Sequence, residues 1–226
     1  MGGDPIFRWS WVTENSDQIL TQLWEHVQLT VIAIVVGLLI SLPVAIYVQR
    51  HRRVLPPVVG FTGMLYTIPS IALFAFLQAY TGLSFWTAEI GLVSYTLLIL
   101  IRNIVAGLNA VPTDVKDAAL GMGYSRRQLL WRVELPLALP VIVAGIRIAT
   151  VTIIGLITVT ALIGLGGFGH FILTGFRSFS SDASTMMLAG GLFSVALAVF
   201  ADVVLIGTEK LLAPWAQKGA GRAMAT

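Results

Sequence analysis

No cysteine occurs in the 226 residues, which removes disulfide frameworks, thiolate metal sites and cysteine nucleophiles together and says nothing about redox compartment. Charge is scarce: 11% of the residues are Asp, Glu, Lys or Arg, against roughly a quarter in an ordinary soluble domain. Histidine occurs three times, as His26, His51 and His170. Their spacing matches no metal-ligand pattern, no metal site is expected, and all three read as lying in or beside loops. No G-x-x-x-x-G-K-[ST] run is present, so the chain has no phosphate-cradling loop with which to hydrolyse ATP itself. The first 17 residues hold Asp4, Glu14 and Asp17 in place of a basic leader region, and insertion is expected to rely on the first spanning helix.

What the chain does have is apolar length. Hydrophobic residues make up 57% of it and the mean hydropathy is +0.87. About 20 apolar residues in a helix cross a hydrocarbon layer of about 30 Å, and such segments must satisfy their own backbone. Apolar runs predict five spans, at 27–48, 55–79, 88–107, 137–163 and 186–206: an all-α integral membrane protein with about five transmembrane helices. Residues 1–26 precede the first span. Within them Ser16, Ile19, Leu20, Leu23 and Val27 fit a short interfacial helix and equally an extension of the span itself.

The basic residues mark topology. Arg50, Arg52 and Arg53 follow the first span, Lys116, Arg126, Arg127 and Arg132 lie between the third and fourth, and Lys210, Lys218 and Arg222 end the chain. Cytoplasmic loops are the basic ones, which puts the N-terminus outside and residues 208–226 inside. The formal charge is +3. With no soluble basic domain to carry it, the expected environment is lipid and not nucleic acid.

Residues 108–136 are polar enough to leave the membrane and regular enough to fold. Thr113 reads as an N-cap, followed by Asp117-Ala118-Ala119, then Gly121 and Gly123, then Leu129, Leu130 and Val133 before Leu135-Pro136. Two short helices around a glycine joint are expected. The alanines admit a close protein surface, and the leucines and valine turn an apolar face to the bundle.

These residues resemble the cytoplasmic loop of ABC importer permeases, written E-A-A, three residues, G, nine residues, I-x-L-P. Asp117, Ala118, Ala119, Gly123, Val133, Leu135 and Pro136 hold that spacing, with Asp for Glu and Val for Ile. The resemblance continues in Tyr66-Thr67-Ile68-Pro69-Ser70, Ile101-Arg102-Asn103, Val133-Glu134-Leu135-Pro136-Leu137 and the 164–169 glycine run, which look like permeases of osmoprotectant importers. It implies a type I, methionine-importer-like fold in a bacterial plasma membrane and a permease domain at 27–207. The loop at 108–136 would couple to a separate ATPase. It further implies two ATPase subunits carrying ATP and Mg, a second permease chain, identical or related, and an extracytoplasmic binding protein. The cargo would be glycine betaine, carnitine, choline or proline betaine, or alternatively another small solute such as an amino acid. Ile99 stands where the family pattern has a proline, which predicts a straighter third helix.

Other features carry two readings each. Gly164-Leu165-Gly166-Gly167-Phe168-Gly169 satisfies G-x-G-x-x-G, but it leaves an apolar helix without a βαβ context, so a flexible outer turn or gate is expected in place of a dinucleotide site. Tyr66, Thr67, Pro69 and Ser70 form a kinked, partly polar stretch suited to a substrate path, and a kink for packing alone fits the same residues. Charges inside spans need partners. The depths of Arg102, Arg147 and Asp202 allow Asp202 to pair with either arginine, and a substrate-sensing charge is the alternative. Gly190, Ser194 and Ala198 allow close helix approach. A self-coupled secondary transporter would have to use Glu89 and Asp202. An intramembrane protease would need a serine and a histidine at matched depth.

Overall fold

The computed structural model describes residues 6–214; Lys218 and Arg222 lie outside the described residues. The described chain is helical throughout. Its elements are α1 (Trp9–Glu14), α2 (Ser16–Arg50), α3 (Leu55–Thr67), α4 (Ser70–Thr81), α5 (Phe85–Ala110), α6 (Thr113–Gly121), α7 (Arg126–Leu129), α8 (Leu135–Ile157), α9 (Gly169–Arg177) and α10 (Ala183–Leu212). A π-helical turn, Leu130–Glu134, joins α7 to α8, and a 3-10 turn, Thr158–Ile163, ends α8. Four helical stretches are long and apolar enough to cross a membrane, and the α3–α4 pair is a fifth candidate.

Helix α2 runs unbroken from Ser16 for 35 residues, so the stretch before residue 27 is continuous with the first span. The second expected span is not one helix. Its halves meet at 93°, a break sharper than a proline kink, because Ile68 and Pro69 both leave the helical region (ψ 127° and 130°). Proline removes an amide donor and disfavours helix in the residue before it. The carbonyl freed at Ile68 accepts from the Tyr95 phenol on α5. The third span is a single 26-residue helix capped at Ser84, whose hydroxyl accepts from the Thr87 N–H at 3.3 Å.

Between α5 and α8 the structure departs from two separate short helices. Helix α6 stands alone, starts at Thr113 without a side-chain cap, and has Pro112 at the cap position. From Arg126 the chain is helical without interruption to Ile163, so the second expected helix is the foot of the fourth span. The π turn makes this continuity possible. Pro136 has no N–H for an i−4 bond, and the wider turn lets Leu135 bond back to Leu130 instead. At the start of α7, Ser125 and Gln128 form a reciprocal capping box at 2.8 and 3.3 Å.

Helix α5 is the hub, packed on α2, α8, α3 and α4. One core, at the α6 end, joins Ala45, Leu100, Ile104, Leu108, Leu130 and Ile142. A second, toward the other end, joins Leu29, Ala33, Phe74, Leu92, Ile153 and Ile157. A third seats Trp11, Phe168 and Phe171 against Ala189 of α10, with α1 tied down by an Arg8–Asp182 ion pair at 2.9 Å. Close approach of α2 and α5 depends on Gly37, where a Cβ would overlap the Thr96 side chain.

Gly37→Ala is therefore expected to destabilise the protein by about 1–3 kcal/mol through overpacking, read as a lower thermal midpoint in detergent. Gly207→Ala, in open space on α10, should be neutral or slightly stabilising; equal effects at the two sites would refute the packing assignment.

Candidate functional site

The α6 region is largely exposed. Asp117, Ala118, Gly121 and Gly123 are exposed, and so are the apolar side chains of Val115 (39%), Leu120 (44%) and Met122 (71%). Ala119 is buried against the body (2%). A nine-residue helix and its C-cap that show solvent three large apolar groups beside alanine and glycine make a face suited to a protein partner. Gly123 has φ +86°, the left-handed region that a side chain strains, and it turns the chain from α6 toward α7. Leu129 and Leu130 point into the bundle (9% and 5% exposed), while Val133, Leu135 and Pro136 are half-buried. The spaced residues thus divide into an exposed group on α6 and a packed group at the foot of α8.

Lys116 lies between these groups. Its ammonium donates to the Leu108 carbonyl at 3.1 Å and sits 3.2 Å from Glu134 Oε1. Neither Lys116 nor Glu134 stands out in the spacing pattern. A buried glutamate (7% exposed) next to a proline-started helix is the signal that a partner was needed.

Of the three intramembrane charges, the structure brings two together. Arg147 on α8 grips Asp202 on α10 with both forks, Nε to Oδ1 at 2.8 Å and Nη2 to Oδ2 at 3.0 Å, and Glu209 lies 3.8 Å from Nη1. This fork geometry suits guanidinium and not ammonium. Arg102 is exposed on α5 and makes no ion pair among the described residues. Tyr66 and Thr67, at the end of α3, are exposed, as is Pro69, and Ser70 starts α4 half-buried. The Tyr66 ring meets Tyr95 edge-on at 5.7 Å, so these four residues line the outer surface of the broken span.

At the end opposite α6, the glycine turn is a packed joint and not a loose one. Glu25 accepts from the Gly166 and Gly167 N–H groups at 2.7 and 3.3 Å, and His26 Nδ1 accepts from the Phe168 N–H at 3.3 Å. His26 Nε2 faces the Ile154 carbonyl at 3.1 Å, an arrangement that puts the ring proton on Nε2. Gly167 has φ +48°, and a Cβ there would lie 2.5 Å from His26 Cβ. His26 is fully buried within α2, not beside a loop. Both ring nitrogens are occupied by backbone, so the ring is not placed to activate a serine. The Gly190–Ser194 ladder packs beneath the same turn: a Cβ at Gly190 would meet the Phe168 carbonyl at 2.6 Å.

Two outcomes test these assignments. His26→Ala leaves the buried Phe168 N–H without an acceptor and should cost about 1–3 kcal/mol, measured as thermal stability in detergent; an unchanged midpoint would contradict the joint. Asp202→Asn should lower the midpoint and the yield of folded protein more than Arg102→Gln does, and the reverse order would contradict the Arg147 pairing.

Comparison with known proteins places this geometry. Residues 19–206 match the family described as binding-protein-dependent transport system inner membrane component. The carnitine transport permease protein OpuCB of Listeria monocytogenes is 33% identical over 89% of this chain and 91% of its own length. The glycine betaine/carnitine/choline transport system permease protein OpuCD of Bacillus subtilis is 32% identical over 92% and 90%. The osmoprotectant import permease protein OsmW of Salmonella typhimurium is 33% identical over 90% and 96%. A chain of the inward-facing MetNI methionine ABC transporter superposes with a TM-score of 0.76 at 22% identity, over 86% of this chain and 95% of that one, so the fold is that of a type I ABC importer permease. With an exposed α6, a broken second span and a match over 188 residues, the chain belongs to the binding-protein-dependent transport system inner membrane component family.

Proposed function

We propose that this chain is the permease subunit of an ATP-driven osmoprotectant importer, carrying quaternary ammonium solutes such as glycine betaine, carnitine, choline or proline betaine. The observation that carries the reading is α6: an outward helix holding Asp117, Ala118 and Ala119, followed by Gly123 at the family's spacing, with the apolar side chains of Val115 and Leu120 exposed. The cargo class draws its support from the relatives, whose names specify carnitine, choline and glycine betaine. The likeness to a methionine transporter concerns the fold and does not favour an amino acid.

In this reading α6 docks on a cytoplasmic ATPase that holds ATP and Mg. Two such subunits serve two permease chains, identical or related, and an extracytoplasmic binding protein delivers the solute. The N-terminus lies outside and the C-terminus inside, which places the basic segments after α2 and around α6 in the cytoplasm. ATP-driven closure of the ATPases moves α6, and the spans alternate between outward and inward access. The path runs past Tyr66, Thr67, Pro69 and Ser70, where the break supplies polar groups and Tyr66 a ring face for a quaternary ammonium. A self-coupled transporter finds little support: Asp202 is engaged by Arg147, and Glu89 is sealed in the bundle at 4% exposure.

The test is uptake of labelled glycine betaine, choline and carnitine into vesicles holding the chain with its candidate ATPase and binding protein. Uptake should require ATP, and Gly123→Val, which forces a branched side chain to φ +86°, should abolish it while the membrane protein still folds. Uptake without any ATPase would overturn the reading.

A further inference from the structure

Helix α6 is joined to the rest of the chain by two joints, Val111-Pro112 on one side and the Met122-Gly123 turn on the other. Its main packing neighbours are α7 and the π turn. Lys116 supplies a third attachment, and it points the opposite way from its neighbour Asp117: the Lys116 side chain is 20% exposed, whereas Asp117 is exposed.

What Lys116 reaches is informative. The Leu108 carbonyl, 3.1 Å away, belongs to the last turn of α5, where carbonyls have no intrahelical donor and the helix dipole favours a cation. Glu134, 3.2 Å away, is the last residue of the π turn, buried and in need of a counter-charge. One ammonium therefore ties α6 to both α5 and the foot of α8. Arg50, His51 and Arg126 border the same polar cleft and hold neither Glu134 nor the Leu108 carbonyl.

We propose that the Lys116–Glu134 bridge is the strut that transmits movement of α6 into the membrane helices, making both side chains positioning residues for energy coupling. The inference rests on the reading of α6 as the ATPase-facing helix. It deepens that reading by naming the route from the docking face to the spans: through Lys116 to the end of α5 and, by way of the π turn, to α8.

The experiment uses the reconstituted complex of permease, ATPase and binding protein, and measures solute imported per ATP hydrolysed. Lys116→Met keeps the aliphatic stem and removes the charge; Glu134→Gln keeps the shape. Each should lower the ratio by about tenfold, the low end of what loss of a hydrogen bond to a charged group produces, with the ATPase still co-purifying. The reversed pair, Lys116→Glu with Glu134→Lys, should recover part of the loss; recovery is incomplete because Glu at 116 cannot donate to Leu108. A parental ratio in Lys116→Met would overturn the strut. So would loss of ATPase co-purification in step with import, which would make the bridge a folding element. Failure of the unsubstituted complex to import with ATP would instead overturn the functional reading itself.

Discussion

A backbone group freed where a helix of the bundle breaks or ends has to find a partner, and at three interruptions of this fold a side chain from elsewhere supplies it. At the Ile68–Pro69 break, the Tyr95 phenol on α5 takes up the free carbonyl. At the glycine turn, Glu25 and His26 on α2 accept from three consecutive N–H groups. At the end of α5, Lys116 takes the Leu108 carbonyl. In every case the side chain comes from a different helix than the break it serves. The interruptions therefore add polar stitches between helices to the apolar contacts, which lipid competes with on equal terms, and to the Arg147–Asp202 pair.

The same constraint explains what the sequence revealed and what it hid. Apolar length located the spans because lipid demands it, and the four long helices and one broken pair agree with the five runs. Spacing located α6 because a turn at positive φ and a close approach require glycine and alanine at fixed places. Hidden were the consequences of partners distant in sequence. Pro69 announces a kink, but not that the carbonyl freed at Ile68 is met by Tyr95, 27 residues beyond Ile68. His26 reads as a loop residue because it stands at the polar edge of an apolar run; its burial depends on a turn 142 residues away. The glycine run reads as loose because glycine permits many conformations, although here it permits one crowded one.

The charges show a similar division. Composition restricts how many ionisable groups can sit in the spans, and depth restricts which can meet, but either arginine remained open to Asp202. The choice falls on Arg147 because α8 and α10 pack directly, whereas Arg102 faces away from that seam. Helices α1 and α9 escape apolar-run reading altogether. Each is short, six and nine residues; α9 is seated along α10, and α1 is held by the Arg8–Asp182 pair and by Trp11 on Phe171 at 5.4 Å.

The unbroken stretch from Arg126 to Ile163 contains 38 residues and is about 57 Å long at 1.5 Å per residue. Its length gives it leverage. Tilting it by about 5° about one end sweeps the other through about 5 Å, roughly one helical turn. A change of angle that small at the foot of α8 therefore corresponds to a shift of about one helical turn at its other end. The glycine turn at that far end is fastened to Glu25 and His26, which ties the long stretch to α2 where its leverage is greatest.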